Sequence, residues 1–320
     1  MSVGYYHSLL ADEARIRAFQ VALTERVHPG DRVLEIGTGL GTFALFAVRA
    51  GASRVWAVDT EAIVHVAEAV AAHNGLAGSI QWLRGRVPDV TLPEPVDLLV
   101  FEDFSTRLLD CDTWRMLARA QARYLAPEGQ MVPDRAELFL APVSSARLWE
   151  SLLPLRRDRF EAYGIDWAPT LSYAENTPHA VSLTPEELAA PPVRIASPSL
   201  LPVPSAAALG GTATWAFEAP CSVHGLALWF ELEVAAGHRV SNRPGPACGP
   251  WGQVFLPFAE PLAVAAGSPC IASVAPQPLR DGAPGWLHWE ARSGAVCRSG
   301  HEFASEPAAL DDIFPEEETP

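Results

Sequence analysis

The chain contains no lysine: all 23 basic residues among its 320 are arginines. A Walker A phosphate loop, which needs a lysine after its glycines, is therefore excluded. Cysteine is sparse and odd in number, with Cys111, Cys221, Cys248, Cys270 and Cys297 widely spaced and no C-x-x-C pair. Neither a disulfide framework nor a zinc site is expected from that pattern, and no resident metal. No apolar run reaches the ~18 to 20 residues that cross a bilayer, and the opening MSVGYYHSLLADEARIRAF mixes acids with its apolar residues. The expectation is a soluble, cytoplasmic protein. Positive charge is also in deficit, since 38 acidic residues leave a net charge of −15. Such a field opposes nucleic-acid phosphates and favours a cationic ligand. The all-arginine basic set, with its many Ala, Pro and Gly, points by association to a GC-rich bacterial genome.

Apolar content is ample for a packed core, at 49%. Over residues 7–27, Leu9, Ile16, Phe19 and Leu23 recur at helical steps and His28-Pro29-Gly30 stops the run, so one amphipathic helix is expected. Strands follow at DRVLEI and RVWAVD, with a helix over 42–50 between them. A helix over 61–73, strands at IQWLRG and VDLLVFED, a helix near 112–124 and a strand after Gly129 continue the alternation. Strands separated by such helices make βαβ units and a mostly parallel, doubly wound sheet, with ligands at the carboxyl ends of its strands. From about residue 144 helical periodicity gives way to proline clusters. The short apolar runs LALWFELEV, WGQVFLPF, PCIASVAP and WLHWEARS read as an antiparallel barrel or sandwich. The expected division is 1–143, 144–310 and an acidic tail at 311–320.

The most specific signal is Glu35-Ile36-Gly37-Thr38-Gly39-Leu40-Gly41, a G-x-G-x-G turn at a strand end. A dinucleotide fingerprint needs another small residue one place further on, where this chain has Thr42, so NAD is disfavoured. Glycines at 37, 39 and 41 let the backbone approach a ligand closely. Asp59 ends the next strand, 22 residues after Gly37, where a carboxylate can accept from both ribose hydroxyls of an adenosyl group. Thr60 follows it. The conjunction points to the class I S-adenosylmethionine-dependent methyltransferases.

The residues from about Tyr5 to about 292 resemble the protein arginine methyltransferases. HSLLADEARIRAF is similar to the family's N-terminal cofactor-contacting helix, in which Arg15 matches an arginine expected to pair with the cofactor carboxylate and Leu9 replaces a methionine. Arg86-Val87 after Gly85 matches the adenine-binding segment, with Pro88 where an acid is usual. YLAPEGQMVPDRAEL is similar to the stretch entering the barrel, and YGIDWAPTLSYAENTPHAVSLTPEEL, within 160–188, to the helical dimerisation arm. The resemblance implies a Rossmann-like domain followed by a β-barrel, S-adenosyl-L-methionine as cofactor, and a homodimer.

The family holds its guanidinium with two glutamates. Glu102 in FEDFSTRLLDC matches the first and also borders the cofactor, whereas the second falls on Cys111. Asp103, Asp110 and Asp112 flank the gap. A family histidine is replaced by Pro250, before Trp251, and Trp251 with Trp167 is expected to line the acceptor cleft. His7, His65, His224 and His288 read as surface or packing histidines. The expected activity is N-methylation of a guanidino or amino group on a peptide or small metabolite, with natural-product biosynthesis as one setting. Competing readings are a small-molecule O- or C-methyltransferase and a cofactor-binding scaffold.

Overall fold

A computed structural model describes residues 3–152, 161–162, 164–245 and 251–302. Phe160, Tyr163, Cys248, Pro250 and the 311–320 tail lie outside the described residues. The N-terminal helix is two: α1, Val3–Leu10, and α2, Glu13–Arg26. The single helix expected over 7–27 is interrupted because the Asp12 carboxylate accepts the Arg15 N–H at 3.1 Å and caps α2. The break separates Leu9 from Phe19 and Leu23. The latter two are fully buried in the main core, where Phe19 stacks on Phe43 at 4.4 Å.

The first layer is β1 (Arg32–Ile36), α3 (Thr42–Ala50), β2 (Arg54–Asp59), α4 (Val64–His73), β3 (Ile80–Arg84), β4 (Val96–Phe101), α5 (Cys111–Tyr124) and β5 (Leu125–Val132). The strands form one parallel sheet in the order β3-β2-β1-β4-β5. Strands so covered on both faces read as continuous apolar runs, as VLLVF does in β4 apart from Asp97. Chain order reverses between β1 and β4. That switch point is where an open α/β sheet receives its ligand, and it sets the Gly37–Gly41 turn beside Glu102.

The strand β6 (Arg135–Val143) falls within the 1–143 segment of the sequence division, yet it pairs antiparallel with β12 and does not join the parallel sheet. After α6 (Ala146–Leu152) come β7 (Glu161–Ala162), β8 (Ile165–Asp166), α7 (Thr170–Glu175), β9 (His179–Val181) and β10 (Val193–Ala196). Strands β11 (Gly211–Ala216), β12 (Cys221–Ala235), β13 (His238–Ser241), β14 (Gln253–Val264), β15 (Pro269–Pro278), β16 (Pro284–Ser293) and β17 (Val296–His301) complete the described chain. They build two larger antiparallel sheets, β10-β6-β12-β14-β9 with β13 on β12, and β11-β15-β16-β17, besides the two-stranded β7-β8 pair. The sheets meet where β14 lies against β17 and β10 against β11, enclosing a second core around Trp289, Leu226 and Phe258. Alternating burial along β15 and β16 follows from this one-sided packing. The two layers also share a core, because Phe230, Leu232 and Val234 of β12 join the cluster formed by β1, β2 and β4.

Candidate active site

Residues from α1, α2, the carboxyl ends of β1, β2 and β4, and the start of α5 enclose a cavity of about 370 Å³. The glycine turn forms its floor. Gly37 and Thr38 donate their N–H groups to Val58 O at 2.9 and 3.1 Å, tying the turn to the end of β2. Gly37, Gly39 and Gly41 all have positive φ, so an L side chain would be strained at each. Their surroundings differ. A Cβ on Gly37 would come within 3.2 Å of Asp103, and one on Gly39 within 3.0 Å of the Tyr6 ring, both beside the cavity. A Cβ on Gly41 would strike Trp82 at 2.5 Å, and Gly41 does not line the cavity: it lets α3 begin against Trp82 and Ala67.

Two carboxylates brace the turn. Glu35 is buried, and its Oε2 accepts from Thr38 Oγ1 at 2.6 Å and from the Ala44 N–H at 2.8 Å. Burial pushes its carboxyl up to about 8 against these hydrogen bonds. Asp59 accepts the Gly39 N–H on Oδ2 and the Glu61 N–H on Oδ1, at 2.8 and 2.9 Å. A carboxylate has about four acceptor sites, so Asp59 retains capacity toward the cavity it lines. Thr60, the exposed Arg86 and the buried Val87 line the same side.

Arg15, only 4% exposed, crosses from α2 to the end of β4. Its Nη1 meets Glu102 Oε1 at 2.8 Å and its Nη2 donates to Leu9 O at 2.6 Å. Its Nε is buried without a hydrogen-bond partner and lies 3.7 Å from Asp12 Oδ2. The Asp12 carboxylate sits beyond hydrogen-bond reach, so this buried N–H can still donate to a further acceptor. Glu102 lies mostly out of solvent, and burial raises its carboxyl to about 7 although Arg15 opposes this. Asp103, raised by burial and by Asp59 and Asp110, reaches the same cavity.

Among the acids flanking Cys111, Asp110 is spent as the N-cap of α5, accepting the Thr113 N–H at 2.8 Å. Asp112 lines the cavity and Cys111 does not. Trp251 is not among the residues lining this cavity; it packs edge-on against Phe230 at 5.5 Å and against the main core. Trp167 is likewise absent from the lining and lies exposed in the arm. His7 and His65 are exposed, whereas His224 is buried against Trp149. Sequence reasoning missed Tyr6, which covers Gly39, because only its neighbour Leu9 falls on a recognisable motif position. No helix of the described residues is long and apolar enough to cross a membrane, and those residues contain no cluster able to hold a metal.

Residues 33–129 match the model of a methyltransferase domain. The parallel sheet, its glycine turn and its strand-end acid thus define a class I S-adenosylmethionine-dependent methyltransferase. Over 274 residues the chain is 30% identical to protein arginine N-methyltransferase 6 of Xenopus tropicalis, spanning 82% of this chain and 80% of that protein. It is 26% identical over 286 residues to protein arginine N-methyltransferase 1 of Schizosaccharomyces pombe, spanning 82% and 79%. The fold is shared with the Trypanosoma brucei PRMT1 enzyme–prozyme heterotetrameric complex with AdoHcy. That superposition has a TM-score of 0.79 at 20% identity over 94% of this chain and 98% of that one. The chain belongs to the protein arginine N-methyltransferase family.

Proposed function

We propose that the chain methylates a guanidinium or amine nitrogen of a peptide, Glu102 orienting the cationic acceptor and Asp112 supplying the second carboxylate. The observation that carries this reading is the gathering of Glu102, Asp103 and Asp112 in the cavity that Arg15 and the glycine turn also line. When bound, S-adenosylmethionine supplies an electrophilic methyl group on a sulfonium sulfur. Its carboxylate suits the Arg15 guanidinium, whose Nε makes no hydrogen bond, its ribose Asp59, and its adenine the Arg86-Val87 segment. Gly37 and Gly39 leave room for the ligand, with Thr38 and Glu35 holding their turn in shape. Asp103 adds negative potential beside the acceptor. A cavity lined by several acids attracts a cation and positions its nitrogen.

Glu102 already gives one oxygen to Arg15. A guanidinium, with five donors in a planar fork, then depends on Asp112 for its second carboxylate, whereas an amine is oriented by one. Small guanidino or amino metabolites, including natural-product intermediates, fit the same chemistry. Mass spectrometry of arginine peptides, lysine peptides and free guanidino compounds after incubation with the cofactor tests the reading. Methyl gain on arginine nitrogen supports it, and exclusive O- or C-methylation of a neutral small molecule would sink it.

The 160–188 segment is proposed as the contact of a homodimer, since Ile165, Trp167 and Tyr173 are exposed there. Given the pairing of β6, a division near 134 describes the two units better than 143.

A further inference from the structure

We infer that Asn242 is a positioning residue for the Glu102-bearing segment, and that through Gln253 it joins that segment to the base of the 160–188 arm. The inference rests on the acceptor reading of Glu102 given above. Asn242, just after β13, is wholly buried. Its Oδ1 accepts the Phe230 N–H at 2.8 Å, and its Nδ2 donates to Gly252 O at 2.6 Å and to Thr106 O at 3.5 Å. Its backbone carbonyl accepts from Gln253 Nε2 at 2.6 Å, and Gln253 Oε1 accepts the Leu183 N–H at 2.7 Å. Thr106 Oγ1 returns a bond to Trp251 O at 3.0 Å. One amide side chain thus touches the active-site segment, strand β12 and the residue that leads into β14, and its main chain reaches the arm through Gln253.

Two amides at zero exposure cost free energy unless every polar atom is satisfied, whereas apolar side chains of similar size would fill the same space without that risk. What the amides add is a single permitted arrangement. Segment 104–106 needs one. Its other hydrogen bonds are local, from the Phe104 N–H to Glu102 O and from the Leu108 N–H to Ser105 O. Among the described residues, its hydrogen bonds to the rest of the molecule are the two at Thr106. An aromatic chain runs alongside, from Phe101 to Phe104 at 4.7 Å, on to Phe230 at 6.4 Å, and then to Trp251. Trp251 thus reaches the segment through its own carbonyl and through Phe230, so Phe104 and Thr106, which follow Glu102, are both tied to the barrel.

The test uses the full chain with Asn242→Ala, Thr106→Val and their double variant. Turnover on an arginine peptide, calorimetric cofactor affinity and hydrogen exchange across residues 102–109 are measured. Each single variant should lower kcat about tenfold or more with cofactor Kd within about twofold, and the double variant should fall no further than the worse single. Exchange should quicken in 102–109 and stay unchanged in the parallel sheet. Unchanged kcat and exchange, or losses that multiply in the double variant, would overturn the inference. If Asn242→Ala does not fold, Thr106→Val, which leaves the buried amides intact, carries the same expectation alone. A wild-type chain that binds cofactor and methylates no arginine or amine counts against the acceptor reading, and the exchange data then decide the positioning role by themselves.

Discussion

Arg15 Nη1 lies 2.8 Å from Glu102 Oε1, with the two side chains 4% and 16% exposed. A pair so withdrawn from water is costly to break from one side, because the surviving charge stays desolvated. The same guanidinium holds Leu9 O and faces Asp12 with its Nε at 3.7 Å, so one side chain ties α1, the Asp12 cap and Glu102 together beside the cavity.

Arg15→Ala should therefore destabilise the chain by about 3 to 5 kcal/mol, less whatever Glu102 recovers by taking up a proton. Cofactor affinity should fall at least about tenfold as a charged hydrogen-bond partner disappears. Thermal denaturation and calorimetry measure the two effects, and unchanged affinity would remove Arg15 from the ligand site.

The pH dependence follows from Glu102, whose carboxyl is pushed up to about 7. Turnover that needs the carboxylate should rise as pH climbs through about 7 and then level off. Glu102→Gln should flatten that step and lower turnover by about a hundredfold or more, with cofactor affinity nearly constant. Stability runs the other way. Glu35 and Glu102 both sit above the ordinary 4.5 in the folded chain, so the stability they lend is complete below that value and is lost as pH rises through about 7 and 8. Denaturant titrations across that window should show the decline, and Glu35→Gln should reduce it.

Gly39→Ala should damage cofactor binding more than folding, because its Cβ would press on Tyr6 at 3.0 Å from a backbone at φ +52°. Displacing Tyr6 opens α1 over the cavity. A variant that binds cofactor as well as the parent would show that α1 does not cover the ligand.

Asp112 and Asp110 are separable. Asp112→Asn should lower kcat/KM on arginine peptides about tenfold or more with stability nearly unchanged. Asp110→Ala should cost about 1 kcal/mol of stability through the lost N-cap and affect turnover less. The reverse pattern in kinetics and thermal melts would return the second carboxylate to Asp110.

For the dimer, Ile165→Glu with Tyr173→Glu should shift sedimentation equilibrium from dimer to monomer at micromolar concentration. These side chains are 51% and 58% exposed, so the substitutions leave the core intact. A parent chain that sediments as a monomer would end this proposal.

The glycine turn, Asp59 and Glu102 were legible because each is written into a short stretch: a strand end, the turn after it, the next strand end. Their geometry needs little beyond the parallel sheet. Asp12 was legible in principle as a helix N-cap, yet the apolar steps running across it suggested one helix. The support behind Glu102 was not readable at all, since Thr106 meets Trp251 across 145 residues and Asn242 across 136. The motif position of Trp251 points to the cleft, and only the fold shows that its ring packs on Phe230, which in turn meets Phe104.

The residues lining the cavity all lie between Tyr5 and Met116, whereas the core beneath them continues to Val240. The chain is thus chemically front-loaded and mechanically interdependent. A fragment cut near residue 134 would own the described lining yet lose Phe230, Leu232 and Val234 from under it, exposing the apolar backing of its own sheet. Exchanging barrels between relatives is accordingly no neutral swap of modules: the incoming barrel must supply a matching half of a core it does not encode alone.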